Sequence, residues 1–581
     1  MPHRPKIILG ISFGHGDSSA ALVVDGKLIA AAEEERFNRI KHYAGFPTEA
    51  TRYCLAEAGI SADKVGVVAV ARNPWNQWMR KAGLALSEPH LIFRLPARKP
   101  KSPQTFSQWL SEMGLGYAGK HTCEHHKAHM LSARYLSDSD NQAILSFDGL
   151  GDFVSTAIGK TTDQGVKILD RVTYPHSLGF FYTAMTQYLG FPYFGDEFKV
   201  MGLSSLGKPT FISQMRNLVR DVEPFGFRIN LEAFPVLRKR EIFSVSNSQP
   251  VVAPLFNAPY LTAILGIPPR KPKDHLSEDY WNLAKSVQVR FEEVANHLLE
   301  YLGSRVESDT LALAGGCAHN SVWVGKIPQN SKFKDIFVAP ASHDAGIAVG
   351  AAISAHGTAV STVSDHSSWA LLGPKTDYRN PLQSQESLEE ITFAKENQLL
   401  DFLAKELSEG KIIGVARDRL EFGPRALGNR SILADPRQAG MKDRLNARVK
   451  HRESFRPFAA SVLMEHQNHW FENAFHAPTM EAVFQVRPSM QSKIAGVVHA
   501  DGSCRIQSVN QKTQPFYWNL IEAFRKKTGI PMLINTSFND SEPIVLTSED
   551  AIRCFLTTEM DYLLLENRLF IRKAQSLSLA G

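Results

Sequence analysis

The 581-residue chain has few cysteines, no long apolar run and little net charge. Its five cysteines are scattered and form no Cys-x-x-Cys pair, which argues against a disulfide framework or a thiolate metal cluster and favours a reducing compartment. No apolar run approaches the roughly 18 residues of a membrane-spanning helix, and the amino terminus has no signal-peptide pattern. We therefore expect a soluble, cytoplasmic protein.

The composition is that of an ordinary globular protein, with 43% hydrophobic and 21% charged residues, and the length predicts several domains. A formal charge of +6 is a weak bias on such a long chain, so a nucleic-acid partner would need a local basic patch. The basic residues between positions 89 and 108 lack aromatic interleaving and are more typical of a solvated loop. Anionic small molecules fit the charge equally well.

Strand-like and helical segments alternate along the chain, which predicts an α/β fold. A strand followed by a glycine-rich turn occurs at residues 11–17, Ile-Ser-Phe-Gly-His-Gly-Asp, and again at residues 145–152, Leu-Ser-Phe-Asp-Gly-Leu-Gly-Asp. The two copies suggest a duplicated fold. Their glycines would let backbone N–H groups approach phosphate oxygens, although two hairpins without a ligand are the simpler alternative.

Four side chains are candidate metal ligands. His125 and His129 are four residues apart in a segment of helical character, so both imidazoles project from one face. Asp148 ends an apolar strand, and Asp344 precedes a helix of small residues. Imidazole and carboxylate together suit a transition-metal ion, but a helix N-cap is the alternative role for Asp344.

Two further segments are candidate ligand loops. Gly315 and Gly316 follow a predicted strand and precede Asn320, a pattern typical of a phosphate or nucleoside approach. Lys199 lies in a polar segment bracketed by glycines at residues 195–202, which is typical of a ligand loop or equally of a surface turn.

Residues 356–385 are rich in Ser, Thr, Gly and Pro and form the best candidate linker, so we predict domains at residues 1–370 and 371–581. The second domain carries cations that alternate with Phe, Pro and Leu, which indicates partial burial: Arg425, Arg430, Lys450, Arg452 and Arg456. Guanidinium groups suit phosphate, and Asn535 and Ser537 add neutral donors at a strand end. This pattern favours an oxyanion site over a solvated face.

Taken together, these motifs resemble the O-carbamoyltransferases of the nodulation-factor, cephamycin and aminoglycoside type. The resemblance runs to about residue 545 and rests on His125-x-x-x-His129, Asp148-Gly149, Lys199-Val-Met-Gly, Gly315-Gly316 with Asn320, Asp344-x-Gly, the string at residues 421–431 and Asn535-Thr-Ser-Phe-Asn. It implies an amino-terminal domain of the duplicated actin and sugar-kinase ATPase fold and a carboxyl-terminal YrdC-like domain.

The resemblance also implies a reaction. Carbamoyl phosphate would bind the second domain at Arg425, Lys450, Arg456, Arg505, Asn535 and Ser537. Carbamate formed there would pass internally to the first domain and attack ATP, giving carbamoyl adenylate and pyrophosphate, before transfer to a hydroxyl of a specialised, antibiotic-like metabolite. ATP and the adenylate would contact Gly149, Lys199, Gly315, Gly316 and Asn320. The metal, Fe²⁺ by the resemblance with Mn²⁺ or Mg²⁺ as alternatives, would bind His125, His129, Asp148 and Asp344.

By the same resemblance His15 and Asp17 are the expected catalytic residues. The family has His and Asp adjacent in the first turn, whereas Gly16 separates them here, so the general base is left open. His319 stands where an apolar residue is expected. The alternative functions are a tRNA threonylcarbamoyl-type modification enzyme and a non-catalytic nucleotide-binding regulator, and the sequence does not define the oligomeric state, which is compatible with a dimer.

Overall fold

The computed structural model describes residues 6–87, 104–137, 139–236, 242–357, 370–376 and 387–573. The chain divides into two compact units, Met1–His366 and Ser367–Gly581. The predicted linker at residues 356–385 and the basic segment at residues 89–108 lie mostly outside the described residues. Across the described ranges, no helix is both long enough and apolar enough to cross a membrane. All five cysteines are free thiols.

The first unit is a mixed α/β structure, as the alternating pattern predicts. Its strands are β1 (Ile7–Ser12), β2 (Ser19–Val24), β3 (Lys27–Glu33), β4 (Val67–Val70), β5 (Gly119–Thr122), β6 (Ala143–Gly151), β7 (Val154–Thr162), β8 (Gly165–Thr173), β9 (Val219–Asp221), β10 (Phe227–Ile229), β11 (Phe243–Ser246), β12 (Gln249–Val252), β13 (Thr310–Ala314) and β14 (Asp335–Val338). Its helices are α1 (Glu35–Asn38), α2 (Thr48–Glu57), α3 (Trp78–Ser87), α4 (Phe106–Glu112), α5 (His125–Leu136), α6 (Leu178–Tyr188), α7 (Glu197–Leu203), α8 (Ile212–Leu218), α9 (Ala258–Leu265), α10 (Glu278–Arg305), α11 (Ser321–Val324), α12 (Ile327–Asn330) and α13 (Ile347–His356).

Two five-stranded sheets in this unit have the same topology. The first has the order β3-β2-β1-β4-β5, and the second has the order β8-β7-β6-β13-β14. In the first sheet, β1 pairs antiparallel with β2 and parallel with β4. In the second, β6 pairs antiparallel with β7 and parallel with β13. This repeat agrees with the two copies of the strand and turn pattern. It also places the turns after β1 and β6 at equivalent positions.

Helix α13 packs closely on both α5 and β1 because small residues line its contacts. A Cβ on Gly350 would lie 1.8 Å from the carbonyl oxygen of Ala128, and a Cβ on Gly10 would lie 1.9 Å from that of Ala348. Only glycine permits such backbone approaches. Asp344, which comes before α13, is thereby held near α5 and its histidines.

The second unit is built on one nine-stranded mixed sheet with the order β15-β23-β22-β16-β17-β21-β18-β20-β19. Its strands are β15 (Leu388–Ile391), β16 (Ile413–Ala416), β17 (Arg430–Ala434), β18 (Ala459–Leu463), β19 (Ala482–Gln485), β20 (Ser503–Val509), β21 (Met532–Ser537), β22 (Tyr562–Leu565) and β23 (Arg568–Arg572). Its helices are α14 (Glu396–Ser408), α15 (Met441–Arg448), α16 (Gln467–Trp470), α17 (Pro488–Gln491), α18 (Pro515–Thr528) and α19 (Ser548–Thr557).

Candidate functional site

Four side chains from three parts of the first unit converge into a candidate metal centre. One ligand atom each from His125, His129, Asp148 and Asp344 lies within 4.8 Å of all the others. The Nε2 atoms of the two histidines are 3.1 Å apart, and each lies 3.4 Å from Oδ1 of Asp344. Oδ2 of Asp148 lies 3.4 Å from Nε2 of His125 and 3.7 Å from that of His129. The structure therefore brings together all four sequence-predicted ligands.

The chemistry of this cluster fits a divalent cation. Asp344 Oδ1 is buried, and no described residue gives it a hydrogen bond of normal geometry. Asp344 does not cap the following helix, because the N-cap of α13 is Gly346. The alternative role of Asp344 as a helix N-cap is therefore excluded. Burial alone would raise the pKa of Asp344, but nearby His15 and His125 hold that pKa well below its ordinary value. Two imidazoles and two carboxylates at these separations form a donor set that suits Fe²⁺, Mn²⁺ or a similar ion.

Neighbouring groups fix the orientation of the His125 side of the cluster. The backbone N–H of His125 donates to Oδ2 of Asp152 over 3.0 Å. Gly151 leaves room for the ring, since a Cβ there would lie 2.0 Å from Cδ2 of His125. His126 is different, because Ser146 Oγ and the carbonyl of Val154 each lie 2.9 Å from one of its ring nitrogens. Burial lowers the pKa of His126 to about 3, so it is a neutral core histidine.

The predicted glycine turns meet at this cluster. Gly316 donates its backbone N–H to Oδ1 of Asp148 over 3.2 Å. Gly315 has a φ of 88°, and a Cβ there would lie 2.1 Å from the carbonyl oxygen of Phe147. The carbonyl of Gly149 accepts a hydrogen bond from Ser177 Oγ over 2.6 Å. All three glycines therefore lie beside the metal ligands, and the backbone N–H groups of Gly315 and Gly316 are engaged within the protein, with the Ser342 carbonyl and with Asp148.

The other two predicted nucleotide residues make bonds within the protein. The side-chain amide of Asn320 lies 2.9 Å from that of Gln288, and its Oδ1 accepts the backbone N–H of Trp323 over 3.1 Å. Nζ of Lys199 lies 2.8 Å from Oδ1 of Asp196. Asn320 thus positions the loop that follows Gly316, and Lys199 is paired in α7.

The first turn places its two expected catalytic residues differently. Nδ1 of His15 lies 2.8 Å from Oδ2 of Asp344, so His15 contacts the metal cluster. Asp17 instead holds His42, whose Nδ1 lies 2.7 Å from Asp17 Oδ1. Burial would raise the pKa of Asp17, but His42 and His343 lower it to about 2. Burial alone would lower the pKa of His42, but Asp17 outweighs it and raises that pKa.

Sequence reasoning missed His42. The signal was the β2–β3 hairpin, which pairs Ser19 with Glu33 and so returns the chain to the first turn. His343 extends this network, since its Nε2 lies 3.9 Å from Asp17 Oδ2 and 3.5 Å from Glu33 Oε1. His319 is the unexpected residue of the Gly-Gly loop. Its Nε2 lies 3.3 Å from Nδ1 of His343.

Asp17, Glu35 and His42 also lie close enough together to share a cation. However, Glu35 Oε1 is paired with Arg36 at 2.6 Å, and Oε2 accepts the backbone N–H of His42 over 2.6 Å. Ion pairing and hydrogen bonding therefore account for this group without a metal.

In the second unit, the predicted oxyanion residues gather on one face of the sheet. Ala459 of β18 pairs with Arg505 on one side and with Asn535 on the other, so these side chains project from the same face. Nδ2 of Asn535 donates to Ser461 Oγ and Gln507 Oε1, each over 3.0 Å. Asn535 Oδ1 is buried, and no described residue donates to it.

The cations of this face fall into two classes. Arg425 makes no hydrogen bond or ion pair with the described residues, and the buried Nε atom of half-buried Arg505 has no partner among them either. Burial and Arg505 lower the pKa of Arg425 well below its ordinary value, and burial is the larger cause of lowering that of Arg505 to about 10. Two repelling, half-buried cations without an anion among the described residues fit a phosphate site.

The remaining predicted residues are bound by the protein itself. Nζ of Lys450 donates to the carbonyl of Ser537 over 2.9 Å and to Asn539 Oδ1 over 2.6 Å. Arg456 lies 3.6 Å from Glu453. Arg430, which the sequence grouped with these cations, is fully buried and donates to the carbonyl of Arg417 over 2.5 Å. Arg430 is therefore structural.

Glu421 is a second residue that sequence reasoning missed. Its Oε1 accepts the backbone N–H groups of Leu427, Asn429 and Arg430 at 2.7, 3.0 and 3.2 Å. The carboxylate therefore shapes the loop that carries Arg425. The sequence signal was a Glu at the start of the string Glu-Phe-Gly-Pro-Arg at residues 421–425.

Two family models match the chain. The model described as Carbamoyltransferase N-terminus matches residues 7–353, and the one described as Carbamoyltransferase C-terminus matches residues 404–573. Among solved structures, the activator of 2-hydroxyisocaproyl-CoA dehydratase from Clostridium difficile is 13% identical, with a TM-score of 0.30 over 60% of this chain and 94% of that one. A likeness of that size supports no assignment.

Two of the related proteins match nearly the whole chain, and a third matches part of it. An uncharacterized protein of Synechocystis is 35% identical over 98% of this chain and 97% of its own length. Nodulation protein NolNO of Sinorhizobium fredii is 35% identical over 99% of this chain and 81% of its own length. The 3'-hydroxymethylcephem-O-carbamoyltransferase of Amycolatopsis lactamdurans is 36% identical over 40% of this chain and 43% of its own length. The chain belongs to the carbamoyltransferase family of transferase enzymes.

Proposed function

We propose that this enzyme is an ATP-dependent O-carbamoyltransferase, which activates carbamoyl phosphate as carbamoyl adenylate and transfers the carbamoyl group to a hydroxyl of a specialised metabolite. The observation that carries the proposal is the cluster of two histidines and two aspartates, whose ligand atoms lie within 4.8 Å of one another beside glycine turns. Such a site suits a nucleotide whose phosphates would bind an ion held there, since the glycines have no side chains to block their approach. The cephem carbamoyltransferase, by its name, acts on a hydroxymethyl oxygen.

In this proposal the second unit binds carbamoyl phosphate. The guanidinium groups of Arg425 and Arg505 take the phosphate, because they are half-buried and lack an anionic partner among the described residues. Lys450 orients Ser537, and Asn535 offers its unpartnered Oδ1 to the carbamoyl amide. Water then divides carbamoyl phosphate into carbamate and inorganic phosphate. Carbamate is short-lived in water, so its protection until the next step is required.

The first unit carries out activation and transfer. A carbamate oxygen forms a bond to the α-phosphorus of ATP, and pyrophosphate leaves with the electron pair of the broken bond. The backbone at Gly149, Gly315 and Gly316 lets the phosphates approach the cluster. A divalent ion held by the two histidines and two aspartates, Fe²⁺ by the family resemblance, would offset negative charge on the phosphate oxygens. The acceptor oxygen then attacks the carbamoyl carbon, and AMP leaves.

The test is incubation of the purified protein with ATP, carbamoyl phosphate and Fe²⁺ or Mn²⁺, with mass detection of carbamoyl adenylate and assay of pyrophosphate. We expect both products, and we expect neither when carbamoyl phosphate is omitted. Pyrophosphate formed without carbamoyl phosphate would indicate an unrelated nucleotidase activity. Absence of adenylate and pyrophosphate with every metal would overturn the proposal.

A further inference from the structure

Asp17 and His42 form a carboxylate–imidazole pair with one ring nitrogen left open. Nδ1 of His42 lies 2.7 Å from Oδ1 of Asp17, and its backbone N–H donates to Glu35 over 2.6 Å. Among the described residues, Nε2 of His42 has no hydrogen-bond partner, and 27% of the side chain is exposed. A carboxylate that accepts the Nδ1–H proton holds the neutral ring in the tautomer whose Nε2 is an acceptor.

The fold holds this pair in an unfavourable backbone conformation. Asp17 has a φ of 62° and His42 a φ of 55°, in the left-handed region that side-chain-bearing residues rarely adopt. Gly195, with a φ of 83°, faces the open nitrogen, since a Cβ there would lie 2.8 Å from His42 Nε2. Strained residues persist where surrounding structure enforces them, and they concentrate at sites of function.

The pair lies next to the metal cluster without belonging to it. Asp17 Oδ2 lies 3.9 Å from Nε2 of His343, the residue before Asp344. Phe194 provides a wall on the other side, with its ring centroid 5.1 Å from that of His42. His15, the other imidazole of this turn, also has its Nδ1 engaged by a carboxylate, but that carboxylate is the candidate metal ligand Asp344, at 2.8 Å. His42 is therefore the imidazole whose orienting carboxylate lies outside the metal cluster.

We propose that His42, oriented by Asp17, is the general base of the carbamoyl-transfer step, an inference that rests on the proposed function. Nε2 of His42 takes the proton as the O–H bond of the acceptor breaks. The acceptor oxygen forms a bond to the carbamoyl carbon, and the bond from that carbon to the adenylate oxygen breaks, so AMP leaves with its electron pair. Asp17 is a positioning residue, which stabilises the imidazolium that forms.

The experiment compares two nucleophiles with different needs for a base. The protein is given ATP, carbamoyl phosphate and Mn²⁺ together with methanol, whose hydroxyl needs a base, or hydroxylamine, which is nucleophilic when neutral. We expect His42→Gln to lower methyl carbamate formation by about 100- to 10,000-fold, the usual contribution of a general base. Hydroxyurea and pyrophosphate formation should stay within about threefold of wild type, because neither uses the base.

Three further variants complete the test. His42→Ala should regain methyl carbamate formation when imidazole is added, since free imidazole can occupy the vacated position. Asp17→Asn should lower kcat for methanol with little change in KM. His297→Gln, at a half-buried histidine of α10 that lies 3.3 Å from the Val222 carbonyl, is the matched control and should have no effect.

Each outcome separates the two proposals. Wild-type protein that makes no adenylate and no pyrophosphate would reject the proposed function itself. With adenylate formation intact, equal losses with methanol and hydroxylamine in His42→Gln would reject the base. Undiminished methyl carbamate formation in that variant would also reject His42 as the base. So would wild-type protein that cannot use methanol, because an available base should act on any hydroxyl that reaches it.

Discussion

Nδ1 of His15 lies 2.8 Å from Oδ2 of Asp344, while the other oxygen of that carboxylate lies 3.4 Å from Nε2 of both His125 and His129. One carboxylate is thus shared between an outer histidine and the candidate metal ligands. Partners of this kind orient a ligand and tune its affinity for the ion. His15 therefore lies beside the metal cluster as a partner of one of its ligands.

His15→Ala should lower the affinity for Mn²⁺ by about 10- to 100-fold, the usual effect of losing a partner that orients a ligand. Mn²⁺ titration followed by calorimetry measures this change. The control is His42→Ala, which removes a ring that contacts Asp17 and should leave the Mn²⁺ affinity unchanged. Unchanged affinity in His15→Ala would show that the Asp344 contact does not support the metal.

Asp148→Ala and His129→Ala should each lose bound metal and abolish carbamoyl adenylate formation, because three donors remain from a set of four. Arg505→Ala, at the proposed phosphate site of the second unit, should keep its metal and mainly raise the KM for carbamoyl phosphate. Metal content after dialysis and adenylate yield are the measurements. Full metal content and activity in Asp148→Ala would contradict the ligand assignment.

Local periodicity explains why part of the site could be predicted. His125 and His129 follow the helical repeat. Asp148 follows the apolar part of β6 and Gly315 follows β13, and these two strands pair in parallel. Carboxyl ends of neighbouring parallel strands meet at one edge of a sheet, so Asp148 and Gly315 come together. The mixed α/β class follows from the same alternation.

The rest depended on tertiary contacts that no local pattern encodes. His42 reaches Asp17 only because the β2–β3 hairpin has its particular length and register. In the second unit, Arg425 and Arg430 are indistinguishable in sequence, yet Arg430 donates to backbone carbonyls and Arg425 has no such partner among the described residues. The hydrogen-bond partners of an arginine determine whether it is structural or free to bind a ligand, and tertiary packing determines those partners.

Arg425→Met should raise the stability of the ligand-free protein, because it removes one of two repelling, half-buried cations. A gain of about 1 kcal/mol corresponds to a rise in Tm of about 2–4 °C for a domain of this size. The variant should also lose the further rise in Tm that inorganic phosphate gives the wild type.

Arg437→Met is the matched control and should lower Tm, since it leaves buried Asp435, its partner at 2.7 Å, unpaired. A fall in Tm for Arg425→Met would mean that Arg425 has a stabilising partner.

Glu34 should make stability depend on pH. Its carboxylate accepts the backbone N–H groups of Glu49 and Ala50 at the start of α2, at 3.2 and 2.8 Å. Burial raises its pKa from 4.5 to about 7. Between those values the folded protein keeps a proton that the unfolded chain has lost, so stability falls as pH rises through this range. Glu34→Gln removes this contribution, and its Tm should fall less than that of the wild type between pH 5 and pH 8. Parallel Tm curves for the two proteins would contradict the raised pKa.

Two neighbouring glycines should separate metal binding from nucleotide binding. A Cβ on Gly151 would lie 2.0 Å from Cδ2 of His125, so Gly151→Ala must displace that ring and should lower metal content. A Cβ on Gly149 would lie 3.6 Å from Phe180, an ordinary contact, so Gly149→Ala should keep its metal. If ATP phosphates approach the backbone of this turn, Gly149→Ala should nevertheless raise the KM for ATP, because the added methyl occupies part of that approach. Metal content and ATP kinetics are measured on both variants. Equal metal loss in the two would show that the turn acts only as a support for His125. An unchanged KM for ATP in Gly149→Ala would place the phosphates elsewhere.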